Sequence, residues 1–252
     1  MPNPGQTAAQ RTGPEPTFMK PTHKLAEAAT PEGRTLTLTE HDGAYCIRIN
    51  GEILMHSQTS ASERLLGQMG CARLSESAKP RLLIGGLGLG FTLKAVLEAL
   101  GSGARVEVAE LLPEVIEWNR QFLSELNGSV LEDPRVHPRA EDVVKTLERA
   151  NRGTYDAILL DIDNGPTAMV QKVNARLYDR RGLKRLAKAL KPCGRLAVWS
   201  ASRDTMFEER LTLSGFEIEV VPAKLHPNAK RASCILYSAD LIRRRPPPSA
   251  PL

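Results

Sequence analysis

The feature that most constrains the fold is an aliphatic run that leads into closely spaced glycines. Residues 81–85 read Arg-Leu-Leu-Ile-Gly, and Gly86, Gly88 and Gly90 follow in a G-x-G-x-G pattern before a helical pattern begins at Phe91. This order predicts a buried strand, a tight turn and a helix. Glycines let the backbone turn sharply and let a ligand approach main-chain N–H groups at the start of the helix. The alternative is a turn with a structural role alone.

The spacing of the glycines indicates the class of ligand. The dinucleotide fingerprint G-x-G-x-x-G needs a glycine at position 91, where this chain has Phe91. The turn therefore favours a nucleoside other than NAD, with S-adenosylmethionine or a relative of it as the first candidate.

Strand and helix patterns alternate after the glycines, which predicts a mostly parallel sheet with crossover helices. Including the strand at 81, we expect seven strands, of which the others are at 106–109, 136, 155–160, 195–199, 216–221 and 233–237, the last two forming an antiparallel pair. The helices are predicted at 91–100, 113–126, 141–149, 182–190 and 205–213. The predicted architecture is an α/β domain that occupies residues 59–242.

The segments on either side of this domain have different compositions. Residues 1–33 are rich in Pro, Gly, Thr and Ala, and we expect them to be largely disordered. Alternating patterns and an Asn-Gly turn predict a small antiparallel module of three strands within 34–58. A helical pattern at 60–69 links this module to the main domain, and residues 243–252 form an Arg/Pro tail.

Composition narrows the partners and the compartment. The net charge is +5, but aromatic residues make up only 4% of the chain, which argues against base-stacking platforms and a nucleic-acid partner. The four cysteines share no C-x-x-C spacing, so we expect reduced thiols, no disulfide framework and no metal. No apolar run approaches the roughly 20 residues of a membrane span, and the N-terminus lacks the apolar segment of a signal peptide. These features predict a cytoplasmic protein without a membrane partner.

Acidic residues follow three of the predicted parallel strands, at the edge of the sheet where such folds bind ligands. Glu110 follows the second strand and can accept hydrogen bonds from ribose hydroxyls, or it is a solvated charge. Asp142 follows the third strand and can accept from an adenine amine, or it caps a helix. Asp161 and Asp163 follow the fourth strand and are candidate catalytic carboxylates, or they form an Asx-type turn.

Together these motifs resemble the polyamine aminopropyltransferase family, of which spermidine synthase is the best-known member. The resemblance is carried by the glycine turn, by Glu110, by residues 132–136 before Asp142, by the Asp161 loop and by residues 189–194 before the fifth strand. It extends from about residue 35 to about residue 238. It implies a Rossmann-like fold of the class I S-adenosylmethionine-dependent transferases, decarboxylated S-adenosylmethionine as cofactor, a di- or polyamine substrate and a homodimer.

The resemblance also implies a role for each matching residue. The glycine turn would hold the amino-acid end of the nucleoside, Glu110 the ribose and Asp142 the adenine. Asp161 matches the catalytic aspartate, which orients the attacking amine or accepts its proton. Glu63, on the helix after the small module, resembles an acidic residue that binds the polyamine.

This chain departs from the family at the amine end of the site. Gly88 stands where the family usually has an aspartate that binds the ammonium of the decarboxylated cofactor, and Leu54 stands where it has a glutamine. Asn164 falls where the family has a second aspartate of the catalytic loop, although Asp163 is adjacent. The family's His-Glu pair on the linking helix loses its histidine in this chain.

Three functions therefore stay open. The first is aminopropyl transfer from decarboxylated S-adenosylmethionine to a di- or polyamine. The second is methyl transfer from intact S-adenosylmethionine to a small amine, which Gly88 favours because an aspartate there would repel the carboxylate of the intact cofactor. The third is a non-catalytic nucleoside-binding protein. Both transfers are in-line displacements at a carbon bonded to a sulfonium, so the protein supplies orientation and charge.

Overall fold

The computed structural model describes residues 20–30, 33–74, 79–162 and 175–242. Its larger sheet has seven strands in the order β10-β11-β9-β8-β5-β6-β7. The five strands from β9 to β7 are parallel, and β11 runs antiparallel to both β9 and β10. The strand bounds are β5 Arg81–Gly85, β6 Arg105–Glu110, β7 Val136–Ala140, β8 Tyr155–Leu160, β9 Leu190–Ser200, β10 Phe216–Ala223 and β11 Cys234–Leu241. The predicted α/β architecture with a mostly parallel seven-stranded sheet is confirmed.

Helices cover both faces of this sheet. They are α1 Ala61–Cys71, α2 Phe91–Ala99, α3 Pro113–Gln121, α4 Ser124–Asn127, α5 Val143–Arg149, α6 Ala175–Tyr178, α7 Arg180–Ala189 and α8 Thr205–Leu213. The single helix predicted at 113–126 is wrong, because the chain leaves helical geometry at Phe122, with φ −123° and ψ −21°, before α4 begins. Within the described ranges, no helix has the length and apolar character needed to cross a bilayer.

Successive residues of the central strands pack on opposite faces of the sheet. Leu82 and Ile84 of β5 are buried in one core cluster together with Val96 of α2, whereas Leu83 between them is buried in the other cluster with Leu147 of α5. Burial on both faces explains why the strands read as continuous aliphatic runs. Because both faces of the sheet are covered by apolar residues, polar side chains of a ligand site are expected at the carboxyl ends of the strands.

The N-terminal module is an antiparallel sheet of four strands, not three. Its strands are β1 His23–Ala29, β2 Thr35–His41, β3 Ala44–Ile49 and β4 Glu52–His56, in the order β1-β2-β3-β4. The prediction of disorder through residue 33 is wrong for β1, which pairs with β2 from His23 to Ala29. The sequence of β1 has no clear apolar alternation, so pairing with β2 decides its conformation. Residues 1–19 and the 243–252 tail lie outside the described residues.

The module packs over the carboxyl ends of the parallel strands. Leu36, Leu38 and Ile47 of the module share one buried cluster with Leu87 and Leu89 of the glycine turn. A cleft is formed between the module and the main sheet as a result.

Candidate active site

The glycine turn brings the ends of β5 and β8 together. Gly86 has a φ of +89°, and a Cβ atom on it would lie 2.2 Å from the carbonyl oxygen of Asp161. Both the left-handed backbone and the lack of space require glycine at this position. The main chain of Asp161 is also hydrogen-bonded to the end of β5, because its N–H donates to the carbonyl of Gly85 over 2.9 Å. These two contacts therefore fix the position of the Asp161 main chain relative to the glycine turn.

Two buried asparagines hold the outer part of the turn. Asn119 of α3 donates from Nδ2 to the carbonyl of Gly88 over 2.8 Å. Asn127 at the end of α4 donates to Oδ1 of Asn119 over 2.7 Å. Sequence analysis missed both residues, although an asparagine on the apolar side of the pattern at 113–126 is an available signal. Their hydrogen bonds orient the turn without contact to any acidic site residue.

Glu110 braces the same turn from the second strand. Its carboxylate accepts from the N–H of Leu87 over 2.8 Å and from the N–H of Leu112 over 2.9 Å, and the residue is only 8% exposed. The alternative of a solvated strand-end charge is therefore wrong. The contact of Glu110 to a ribose stays a prediction.

Asp142 is the N-cap of α5. Oδ1 accepts from the N–H of Val144 over 2.8 Å, and Oδ2 forms an ion pair with Arg176 of α6. The helix-capping alternative is confirmed, and the contact to adenine stays a prediction. Because Asp142 also lines a cavity next to Glu110, capping and ligand binding are compatible.

Two cavities meet at the end of β8. The first, which we name the Glu110 cavity, has a volume of about 90 Å³ and is lined by residues that include Gly86, Glu110, Asp142 and Asp161. The second, which we name the Glu63 cavity, has a volume of about 200 Å³ and is lined by residues that include Glu63, Gly88, Asp161 and Trp199. Leu54, Met55 and Asp161 line both cavities. Asp161 therefore faces both parts of the candidate site.

The surroundings of Asp161 raise the pKa of its carboxyl. Burial raises the pKa of its carboxyl to about 6, while a hydrogen bond from Thr92 lowers it. The Thr92 hydroxyl donates to Oδ2 of Asp161 over 2.6 Å. Thr92 lies two residues after Gly90, and the sequence analysis did not include it. A carboxyl with a pKa near 6 can take up and release a proton near neutral pH.

Glu63 of α1 is the second carboxyl of the Glu63 cavity. Burial first, and then the charge of Asp161, raise the pKa of its carboxyl to about 8. Oε2 is buried and has no hydrogen-bond partner among the described residues. At neutral pH the two carboxyls therefore hold one proton between them, because two buried charges of like sign repel each other.

Apolar residues occupy the part of the site that departs from the family pattern. Gly88 has a φ of +53°, and a Cβ atom on it would lie 2.8 Å from Sδ of Met55. Met55 of β4 therefore packs directly on the glycine turn, and a larger residue at position 88 would require the Met55 side chain to move. On the opposite side, Nε1 of Trp199 donates to Oγ of Ser62 over 3.1 Å.

Two of the predicted site residues cannot be located. Asp163 and Asn164 lie outside the described residues, so their roles stay predictions. In the part of the chain that the structure covers, no group of three or more His, Cys, Asp or Glu side chains is placed to hold a metal ion.

The fold and the site define a class of protein. A parallel sheet with a glycine turn after its first strand and a buried acid after its second is the arrangement of Rossmann-like nucleoside-binding domains. The spermidine synthase of Thermotoga maritima has this fold, with a TM-score of 0.63 at 16% identity over 86% of this chain and 72% of that one. The predicted fold class is confirmed.

Sequence comparison identifies the relatives more closely. The chain is 32% identical to the polyamine aminopropyltransferase of Mycobacterium tuberculosis over 131 residues, which are 51% of this chain and 24% of that protein. It is 34% identical to the spermidine synthase of Coffea arabica over 118 residues, which are 47% of this chain and 35% of that protein. The matched region is thus only about a quarter to a third of these relatives. No family model matches. The resemblance to polyamine aminopropyltransferases that the motifs indicate is confirmed.

Proposed function

We propose that this chain is a spermidine synthase-like transferase, which moves an aminopropyl group from decarboxylated S-adenosylmethionine to a di- or polyamine. The observation that carries the proposal is that Asp161 lines both cavities. A displacement reaction needs the donor carbon and the attacking nitrogen side by side, and a carboxylate between two pockets can orient both. The similarity to polyamine aminopropyltransferases supports the same reaction.

The Glu110 cavity suits the nucleoside part of the cofactor. Glu110 would accept from the ribose hydroxyls, and Asp142 would accept from the adenine amine. Ile47, Ile49 and Val143 line the same cavity and provide apolar contact for the rings. The cofactor supplies a carbon activated by the sulfonium, and no metal is needed for this chemistry.

The Glu63 cavity suits the acceptor amine. An alkylamine has a pKa of about 10.4 and arrives protonated. Ionised Asp161 would bind this ammonium and take its proton as the nitrogen attacks. The new C–N bond forms as the C–S bond breaks, and the electron pair of that bond leaves with the sulfur. We propose that Glu63, Asp163 and Asn164 hold the rest of the acceptor.

Product analysis tests the proposal. The full chain is incubated with decarboxylated or intact S-adenosylmethionine and a panel of α,ω-diamines and polyamines. Aminopropyl transfer releases methylthioadenosine together with a lengthened amine, whereas methyl transfer releases S-adenosylhomocysteine. Formation of the lengthened amine only with the decarboxylated cofactor is expected. No product with any pair would favour the non-catalytic binding protein instead.

Methyl transfer to a small amine is the second candidate, and one contact favours it. At position 88 the chain has no carboxylate, and the thioether of Met55 lies against the glycine instead. An intact cofactor would meet no repulsion of its carboxylate there. Calorimetry with both cofactors separates the candidates, because tighter binding of the intact form by tenfold, about 1.4 kcal/mol, would contradict aminopropyl transfer.

A further inference from the structure

We propose that Thr92 is a positioning residue that keeps the single proton of the Glu63–Asp161 pair on Glu63 and so leaves Asp161 ionised toward the acceptor amine. The inference rests on the proposed function, because it assigns the state in which Asp161 would receive the amine. Neither the family resemblance nor the sequence motifs assign a role to position 92.

The geometry of the hydroxyl supports this assignment. Thr92 is 2% exposed and lies in the first turn of α2. Its Oγ1 is 2.6 Å from Oδ2 of Asp161 and 3.2 Å from the main-chain carbonyl oxygen of Glu63. A hydroxyl has one hydrogen, and the shorter contact to a carboxylate is the stronger hydrogen bond. Thr92 therefore stabilises the charged form of Asp161.

The charged form of Glu63 has weaker support, because a hydrogen bond from its own main chain lowers the pKa of its carboxyl by less than burial and the charge of Asp161 raise it. Its Oε2 is buried without a hydrogen-bond partner among the residues that the structure describes. An ionised carboxylate in that position would lose hydration without compensation, so the neutral form is favoured. The short hydrogen bond from Thr92 supports the charged form of Asp161, whereas burial and the charge of Asp161 raise the pKa of Glu63 by more than its main-chain hydrogen bond lowers it, so Glu63 keeps the proton.

Other titratable groups near the pair do not reverse this order. Arg64 follows Glu63 on α1 and lowers the pKa of Glu63, but burial and the charge of Asp161 raise it to about 8. Cys234 of β11 faces both carboxyls, and burial raises the pKa of its thiol, which keeps it neutral. Glu110 and Asp142 line the neighbouring cavity and engage main-chain N–H groups.

The test is the pH dependence of kcat/KM in three variants of the full chain. T92V removes the hydroxyl with little change in shape, and T92S restores it. T146V is the matched control, because Thr146 is also buried and its hydroxyl donates to Glu141 over 2.7 Å, away from both cavities. We expect T92V to move the acidic limb up by about one pH unit, which lowers kcat/KM about fivefold at pH 6 and about tenfold at pH 5. At pH 9 the value should return to within twofold of the unmodified chain. T92S and T146V should keep the original acidic limb.

An equal loss of kcat/KM at every pH in T92V, or failure of T92S to restore the acidic limb, would overturn the inference. A second measurement does not depend on turnover. In carboxyl-labelled full chain, 13C NMR titration should give a higher midpoint for Asp161 in T92V than in the unmodified chain, and an unchanged midpoint would reject the role of Thr92. If no cofactor and amine pair is turned over, the proposed function fails, while this titration still decides the question for Thr92.

Discussion

The two cavities beside Asp161 are built in different ways. In the Glu110 cavity, Glu110 and Asp142 accept hydrogen bonds from main-chain N–H groups of the glycine turn, of the residues after β6 and of the start of α5. In the Glu63 cavity, the carboxyls of Glu63 and Asp161 come from distant segments; burial raises the pKa of both, and the charge of Asp161 also raises that of Glu63. Main-chain donors hold Glu110 and Asp142 in place, whereas burial raises the pKa of Glu63 and Asp161 toward the neutral range, where a carboxyl can exchange protons. The first cavity is therefore suited to constant binding and the second to proton transfer.

Removal of the shared carboxylate should have the largest effect. Asp161→Asn keeps the size of the side chain but cannot accept the proton of the amine, and we expect kcat to fall by about 10³-fold. Asp156→Asn is the control, because Asp156 lies at the other end of β8 and pairs with Lys191. Steady-state kinetics of both variants measure the effect. A fall in kcat of less than tenfold in Asp161→Asn would mean that Asp161, which lines both cavities, is not a catalytic residue.

A change at the junction of the two cavities should destabilise both. Gly86→Ala places a Cβ atom 2.2 Å from the Asp161 carbonyl oxygen and also strains a left-handed backbone, so we expect a loss of about 3 kcal/mol in the free energy of unfolding. Gly51→Ala is a matched control with a φ of +84° and open space around it, and it should lose about 1 kcal/mol. Urea denaturation provides both values. Equal losses of unfolding free energy in the two variants would show that the close approach of Gly86 to the Asp161 carbonyl does not affect stability.

The dependence of stability on pH should distinguish the two cavities, and Glu63 is the residue that tests this. The pKa of Glu63 is raised from 4.5 to about 8 in the folded chain, so the folded state holds a proton that the unfolded state releases between these values. The contribution of this group to stability is present below pH 4.5 and declines as the pH rises to about 8. We expect Glu63→Gln, which is neutral at every pH, to be more stable than the unmodified chain at pH 9 by about 1–2 kcal/mol.

Thermal or urea unfolding of the Glu63→Gln variant at pH 5 and pH 9 measures this difference. Glu125→Gln on α4 is a control outside both cavities and should show no such pH-dependent gain. A constant difference between Glu63→Gln and the unmodified chain at both pH values would contradict a shared proton.

The smallest of the four effects is expected in the Glu110 cavity. Glu110→Gln retains one acceptor oxygen and replaces the other with a donor, so we expect nucleoside affinity to fall about tenfold, or about 1.4 kcal/mol. The loss should be the same at pH 6 and pH 9. Calorimetry with methylthioadenosine measures it, with Glu117→Gln on the exposed side of α3 as control. An affinity that changes with pH in the unmodified chain but not in Glu110→Gln would break the contrast between the cavities.

Much of this architecture could be predicted from local patterns. The aliphatic runs at β5 and β8, the glycine turn and the acid after β6 are local features, and the structure has each of them in the predicted place. The fourth strand of the module could not be predicted, since β1 depends on pairing with β2 and not on its own alternation. The role of Thr92 could not be predicted, because its partner Asp161 is 69 positions away in the sequence and becomes a neighbour only in the folded chain.

The sequence by itself determined the order of strands and helices, the tight turn and the acidic residues at the strand ends, because these follow from patterns within a few residues of one another. The tertiary structure alone decided that Glu63, Thr92 and Asp161 share one buried site and that Met55 covers Gly88. The physical reason is that hydrogen bonds, burial and charge coupling between distant segments depend on distances in space. A pattern along the chain does not contain those distances.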